Sequence, residues 1–126
     1  MYTILIIEDH EDVRKLIRIS LEFNNYNIQE ASNGDMGLER AMELKPDLIL
    51  LDIMMPGTLD GYQICSILKS QPSYKDTLII FLTARGQEQD ILEGYKAGCD
   101  GYLTKPFSPI KLADTVEAFL SKKSIH

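Results

Sequence analysis

The stretch Leu48-Ile49-Leu50-Leu51-Asp52 joins an uninterrupted apolar run to an acidic residue. Pro46 precedes it, and residues 47–51 show no alternation between apolar and polar side chains. This pattern is typical of a parallel strand that is covered on both faces. A buried strand has little structural reason to carry a carboxylate at its carboxyl end. We therefore interpret residues 47–51 as a central strand and Asp52 as a candidate functional residue.

The same alternation of a short β-rich run and an amphipathic segment recurs along the whole chain. Further strands are predicted over residues 3–7, 27–31, 78–82 and 101–103, and helices over 11–23, 34–44, 61–69, 87–97 and from 109 onward. Ser108 and Pro109 open the last helix as a capping serine and a proline at the first helical position. Repeated strand–helix units imply parallel strands joined by right-handed crossovers. We expect an α/β fold with one doubly wound, five-stranded sheet and a single domain over residues 1–126.

Composition restricts the classes of function. Apolar residues make up 44% and charged residues 25% of the 126 residues, and the net charge is −6. A negative chain without clustered basic residues is a poor direct partner for nucleic acid. No segment approaches the roughly 20 apolar residues that a membrane span needs. A cytoplasmic protein is predicted, with Cys65 and Cys99 as inert buried thiols.

Polar residues stand where the apolar runs stop, namely Glu8, Asp9, Asp52, Thr83 and Lys105. The carboxyl ends of parallel strands meet at one edge of the sheet, where ligands bind in such folds. Carboxylates gathered at this edge repel one another unless a cation or a proton intervenes. Oxygen donors without a soft ligand favour Mg²⁺, with Mn²⁺ as an alternative. Asp9 could instead simply cap the following helix.

The expected chemistry is phosphoryl transfer. An ionised Asp52 beside a divalent cation and a lysine is a competent nucleophile toward a phosphoryl group. The metal and Lys105 would neutralise charge on the phosphoryl oxygens. Thr83 could donate a hydrogen bond to one of these oxygens, although a threonine at a strand end can also cap the next helix. A cis bond before Pro106 would turn Lys105 back toward the strand ends.

Five segments of the chain match a known family in order and spacing. They are Ile4-Leu5-Ile6-Ile7-Glu8-Asp9, Leu50-Leu51-Asp52-Ile53-Met54-Met55-Pro56-Gly57, Asp60-Gly61, Leu82-Thr83-Ala84 and Leu103-Thr104-Lys105-Pro106-Phe107. Together they resemble the receiver domain of two-component response regulators, of the chemotaxis-receiver type. The resemblance implies a flavodoxin-like sheet with the strand order 2-1-3-4-5.

The resemblance also implies a role for each matching residue. Asp52 corresponds to the residue that is phosphorylated by a partner histidine kinase or histidine phosphotransfer protein. Asp9, Asp52 and the backbone carbonyl of Met54 correspond to the Mg²⁺ ligands, and Glu8 to an acid that supports the ion through water. Thr83 and Lys105 correspond to the phosphoryl-binding pair, and Tyr102 to an aromatic residue that swings inward when the threonine moves.

The resemblance implies further that the surface of the fourth helix, fifth strand and fifth helix, about residues 87–122, signals to an output domain or protein. A stand-alone receiver and the N-terminal portion of a longer regulator both remain open. The cognate kinase, the output process and a phosphorylation-dependent dimer are also open.

Two features depart from or modulate the family pattern. The segment from Met55 to Gly61 carries one residue more than is common after the aspartate, so the loop over the site is longer. By the resemblance, Met54 and Arg85, two places beyond Asp52 and Thr83, would flank the path of a hydrolytic water. Because the apolar Met54 side chain cannot orient water as an amide could, we predict slow self-dephosphorylation.

Three other classes of protein compete with this interpretation. A haloacid-dehalogenase-type phosphatase needs a second aspartate two places after the nucleophile, where Met54 stands. A flavodoxin-like cofactor carrier needs a phosphate cradle in the first strand–helix loop, where Glu8 and Asp9 would repel the FMN phosphate. A receiver-like adaptor that works by binding without phosphorylation is the third alternative.

Overall fold

The computed structural model describes residues 1–55, 57–84 and 88–125. Pro56 of the matched motif, Arg85 beside the expected water path, Gly86 before the fourth helix, the predicted helix start at Gln87, and His126 lie outside the described residues. The strands are β1 (Thr3–Ile7), β2 (Asn27–Ala31), β3 (Leu48–Asp52), β4 (Leu78–Thr83) and β5 (Gly101–Thr104). The helices are α1 (Glu11–Leu21), α2 (Gly34–Leu44), α3 (Gly61–Lys69), α4 (Glu88–Ala97) and α5 (Pro109–Ile125), with a 3₁₀ turn at Pro72–Tyr74.

The five strands form one parallel sheet in the order β2-β1-β3-β4-β5. This confirms the predicted flavodoxin-like α/β fold. The chain order switches between β1 and β3, whose carboxyl ends therefore border the crevice in which such sheets bind ligands. The register pairs Ile7 with Leu51 and Asp52 with Leu82. Asp52 is thus aligned beside the end of β1.

Helices cover both faces of the sheet, and each face has its own core. Successive side chains of β1 alternate between them, because Leu5 and Ile7 belong to one core and Ile4 and Ile6 to the other. On the first face α2 and α3 pack against the sheet, and on the second face α1 and α5 do. Residues Leu48–Asp52 of β3 are buried throughout, as expected for a strand covered on both sides.

The structure moves several predicted boundaries. Helix α1 ends at Leu21 rather than Phe23, whose side chain is 90% exposed and has no core to cover. Asp52 and Thr83 are the last residues of β3 and β4, not the residues that follow them, because ladder pairing continues through both. Ser108 caps α5 as predicted, since its Oγ accepts a hydrogen bond from Lys111 N at 3.0 Å. Within the described part of the chain, every helix is too short or too polar to cross a bilayer.

Candidate functional site

The acidic side chains predicted from the strand ends do converge. One ligand atom from each of Glu8, Asp9, His10 and Asp52 can be chosen so that all lie within 4.8 Å of one another. Glu8 is fully buried and Asp52 is 4% exposed. The Oδ1 atom of Asp9 is buried and accepts no hydrogen bond from the described residues, although His10 Nδ1 lies 3.2 Å from it. A carboxylate oxygen left in this way, next to two other carboxyl groups, fits a hard divalent cation.

Lys105 closes the other side of the acidic cluster. Its Nζ atom lies 2.5 Å from Glu8 Oε1 and 3.5 Å from Asp52 Oδ1. The Lys105–Pro106 bond is cis, as the sequence suggested, and Lys105 N donates to Thr83 O at 2.7 Å. These contacts keep the ammonium group at the strand ends rather than in solvent.

The site contains one carboxyl group that resists ionisation. Burial, followed by the hydrogen bond and charge of Glu8, raises the pKa of Asp52 to about 7. Burial also opposes ionisation of Glu8, but hydrogen bonds to Lys105, Asp52 and Asp9 outweigh it and lower the pKa of Glu8. Below about pH 7, and with no cation bound, the pair therefore retains one proton, mainly on Asp52. Asp52 becomes a carboxylate only once that proton leaves.

The sequence is similar to known proteins over most of its length. The family model described as "Response regulator receiver domain" matches residues 4–117. The chain belongs to this family. It is 45% identical over 121 residues to "Transcriptional regulatory protein ResD" of Bacillus subtilis. The matched region covers 96% of this chain and 49% of that protein. It is 42% identical to "Transcriptional regulatory protein SrrA" of Staphylococcus aureus, over 94% of this chain and 48% of that protein.

A solved structure agrees with the sequence comparisons. A putative response regulator from Chloroflexus aurantiacus superposes with a TM-score of 0.88 at 32% identity, over 95% of this chain and 98% of that one. The chain spans about half the length of the curated relatives it matches. It is a response regulator receiver domain, a signalling switch, and family membership sets aside the phosphatase and cofactor-carrier alternatives.

The receiver's predicted switch residues occupy different environments. Thr83 is 4% exposed at the end of β4, whereas Tyr102 on β5 is 38% exposed. The Tyr102 ring lies edge-on to Tyr95 of α4, with 6.3 Å between ring centroids. A cavity of about 10 Å³ between Thr83 and Tyr102 is far too small for an aromatic ring. In this conformation Tyr102 points outward, and an inward position would require Thr83 or α4 to move.

From its position beside Asp9, His10 could be a solvated residue at the start of a helix or a group that supports the site, and the structure shows it both exposed and in contact with the site. Its side chain is 66% exposed, and Nδ1 lies 3.2 Å from Glu8 Oε2 and from Asp9 Oδ1. The hydrogen bond to Glu8 and the charges of Asp9 and Glu8 raise the pKa of His10. A protonated His10 would compete with a cation for the same oxygens.

The longer loop after β3 is held by a hydrogen bond to α2, away from the acidic cluster. Thr58 Oγ1 donates to Asp35 Oδ1 of α2 at 2.8 Å, and Gly57 has a φ of 122°, which favours glycine. Met54 N donates to Asp52 Oδ1 at 3.2 Å, and the Met54 side chain is 57% exposed. The hydrogen bond from Thr58 thus ties this part of the loop to α2, while the Met54 side chain stays exposed next to Asp52.

Two residues that support the site were not among the sequence candidates. Arg14 on α1 donates hydrogen bonds to the backbone carbonyls of Glu8 and Asp9. At Gly61 a Cβ would lie 2.7 Å from Ile53 Cα and 2.8 Å from Asp52 O, so the start of α3 needs glycine. The Asp60-Gly61 motif pointed to this position without its reason, whereas no spacing distinguished Arg14 from a surface arginine.

Proposed function

We propose that Asp52 accepts a phosphoryl group from a partner histidine kinase or histidine phosphotransfer protein in a Mg²⁺-dependent reaction. The observation that carries the proposal is the position of the Asp52 carboxyl group, which lies within the acidic cluster and 3.5 Å from Lys105 Nζ. We also propose that residues 1–126 form one receiver domain. We propose a cytoplasmic location, where ATP-dependent kinases supply the phosphoryl group.

In this proposal Asp9, Asp52 and the backbone carbonyl of Met54 hold Mg²⁺ directly, and Glu8 supports the ion through water. Mn²⁺ could substitute, since it takes the same oxygen donors. The bound ion would neutralise charge on the phosphoryl oxygens and displace the proton from Asp52. The burial of Glu8 and Asp52 supports this assignment, because buried carboxylates are costly unless a positive charge accompanies them.

The transfer exchanges one bond to phosphorus for another. An Asp52 carboxylate oxygen forms the new O–P bond as the N–P bond of the donor phosphohistidine breaks, and the electron pair of that bond returns to the imidazole nitrogen. Lys105 would stabilise the added negative charge, which is about −1.5 to −2 for a phosphoryl group. Asp52 therefore acts as a phospho-acceptor that catalyses only its own transfer and its later hydrolysis.

The signalling step in the proposal starts at Thr83. Its hydroxyl group moves toward the phosphoryl group to donate a hydrogen bond, and the space that it leaves admits Tyr102. The pair biases an existing equilibrium of α4, β5 and α5, the surface offered to an output domain or protein. A coupling free energy of about 1–3 kcal/mol changes partner affinity by about 5- to 150-fold. A phosphorylation-dependent dimer is one form that this output could take.

A receiver-like adaptor that is never phosphorylated is the remaining alternative, and one assay separates the two. The protein is incubated with acetyl phosphate and Mg²⁺, and the product is examined for one acid-stable, base-labile phosphate by intact mass. We expect a single adduct in the wild type and in Asp114→Asn, which removes an exposed acid from α5, and none in Asp52→Asn. An unmodified wild type, or an adduct that survives in Asp52→Asn, would contradict the proposal.

A further inference from the structure

The turn between β1 and α1 brings the side chains of two adjacent residues, Glu8 and Asp9, to the same cluster. Successive side chains of an extended strand point to opposite faces of the sheet. Glu8 and Asp9 are adjacent, yet their carboxylates both lie in the cluster that includes Asp52. Glu8 N still donates to Ala31 O of β2 at 3.1 Å, and Arg14 N already donates to His10 O at 3.1 Å as α1 begins. The chain has therefore only two peptide units in which to turn.

Arg14 is bonded to both of these peptide units. Its Nη1 atom donates to Glu8 O at 2.8 Å and to Asp9 O at 3.2 Å. Successive carbonyls of an extended strand point in opposite directions, so they could not both accept from one nitrogen atom. The shared donor thus holds the backbone in the turned conformation that lets both carboxylates face Asp52.

The guanidinium group is itself fixed in place. Arg14 Nε donates to Glu30 Oε1 of β2 at 3.1 Å, and Arg18 donates to Glu30 Oε2 at 2.7 Å. The Arg14 side chain is 17% exposed, whereas that of Arg18 is 47% exposed. The planar fork of arginine suits this task because it can bond a carboxylate and backbone carbonyls at once.

We infer that Arg14, held by Glu30, is a positioning residue that keeps the carboxylates of Glu8 and Asp9 directed at the divalent cation. The inference rests on the proposed function, since it assigns a role toward the proposed metal site. Partners that orient metal ligands change metal affinity by about 10- to 100-fold when they are removed.

The positive charge of Arg14, taken alone, would have the opposite effect on Mg²⁺ affinity. A cation beside an acidic cluster disfavours a second cation by Coulomb repulsion, so loss of the Arg14 charge alone should tighten Mg²⁺ binding. Arg18 provides the matched control, because it carries the same charge and contacts the same Glu30 carboxylate. The hydrogen bonds of Arg18 to backbone carbonyls include Ile28 O but neither Glu8 O nor Asp9 O.

The test measures Mn²⁺ and Mg²⁺ affinity of the intact chain. Free Mn²⁺ is counted by electron paramagnetic resonance during a titration, and Mg²⁺ is added as a competitor. We expect Arg14→Met to weaken binding by about tenfold, and Arg18→Met to leave it unchanged or slightly tighter. Circular dichroism and melting in EDTA check that each variant is folded. Unchanged or tighter binding in folded Arg14→Met overturns the inference.

If Arg14→Met does not fold, the Arg14→Lys variant tests whether Arg14 positions the metal ligands. Lysine keeps the charge but cannot span the two carbonyls and Glu30 at once, so we expect binding to be weakened by a smaller factor. Wild-type affinity in Arg14→Lys would then overturn the inference. If the wild type binds neither ion, the proposed metal site itself is wrong, which is a separate result from a loss confined to the Arg14 variants.

Discussion

The ammonium group of Lys105 lies 2.5 Å from Glu8 Oε1 but 3.5 Å from Asp52 Oδ1. The two carboxyl groups are thereby made unequal, because Glu8 has the nearer positive charge and the lowered pKa while the pKa of Asp52 is raised. With no cation bound, Lys105 stabilises the carboxylate of Glu8 more than that of Asp52.

Replacement of Lys105 by methionine should destabilise the metal-free receiver. It leaves the fully buried Glu8 without its cation, and breaking a buried pair costs about 3–5 kcal/mol. We expect about 3 kcal/mol of lost unfolding free energy in EDTA, and less in Mg²⁺ because the ion offsets the missing charge. Urea denaturation measures both. Lys15→Met, which removes an exposed lysine paired with Glu11, should change stability little. An equal loss with and without Mg²⁺ would argue against a cation in this cluster.

Mg²⁺ affinity should depend on pH because of Asp52. Its pKa is raised to about 7, first by burial and then by Glu8. A metal ligand must lose its proton, so binding releases one proton below this pH and affinity falls as pH decreases through 7. Calorimetry at several pH values, in buffers of different ionisation enthalpy, measures the slope and counts the proton. A slope of zero between pH 5 and 7 would contradict the raised pKa.

The metal-free receiver should become more stable when Asp52 is replaced by asparagine at alkaline pH. A carboxyl group with a raised folded-state pKa stabilises the fold below its unfolded value, and that contribution is lost as pH rises through the folded value. We expect Asp52→Asn to gain about 1–3 kcal/mol at pH 8 and less at pH 5, measured by urea denaturation in EDTA. Destabilisation at pH 8 is the contrary outcome.

Gly61→Ala should disturb the position of Asp52. The new Cβ would lie 2.7 Å from Ile53 Cα and 2.8 Å from Asp52 O, both of which are backbone atoms that cannot rotate away. We expect a loss of about 1–3 kcal/mol, typical of overpacking, together with slower labelling by acetyl phosphate. Ser66→Ala, at an exposed position of the same helix, provides the control and should change neither quantity. A Gly61→Ala variant with wild-type stability would show that the turn before α3 can relax.

Met54→Asn should shorten the lifetime of the phosphorylated receiver. Met54 is 57% exposed at the mouth of the site, where its side chain cannot orient an attacking water. An amide that does so through one hydrogen bond contributes about 1 kcal/mol, or about a fivefold faster loss of phosphate. Loss of the label after removal of the phosphodonor measures the lifetime. A lifetime of seconds in the wild type, unchanged in Met54→Asn, would contradict the prediction of slow self-dephosphorylation.

Local patterns in the sequence determined the secondary structure and the set of residues at the strand ends. The apolar run Leu48–Leu51 predicted a central strand because only a strand covered on both faces can bury every side chain. The repeated strand–helix order then required Glu8, Asp9 and Asp52 to meet at one edge of the sheet. Boundaries were less certain, as at Phe23, because local periodicity does not show where the core ends.

Tertiary structure alone decided how these residues interact. The pairing of Lys105 with Glu8 joins residues 97 positions apart, and its geometry depends on how β5 packs beside β4. The outward position of Tyr102 depends on Tyr95 and on the small cavity behind Thr83. Arg14 shows the same limit, since its partners Glu8, Asp9 and Glu30 come together only when α1 lies against the sheet. Charge and periodicity identify which groups a chain carries, whereas distances of a few ångströms, set by packing, determine which group takes the proton and which one holds the turn.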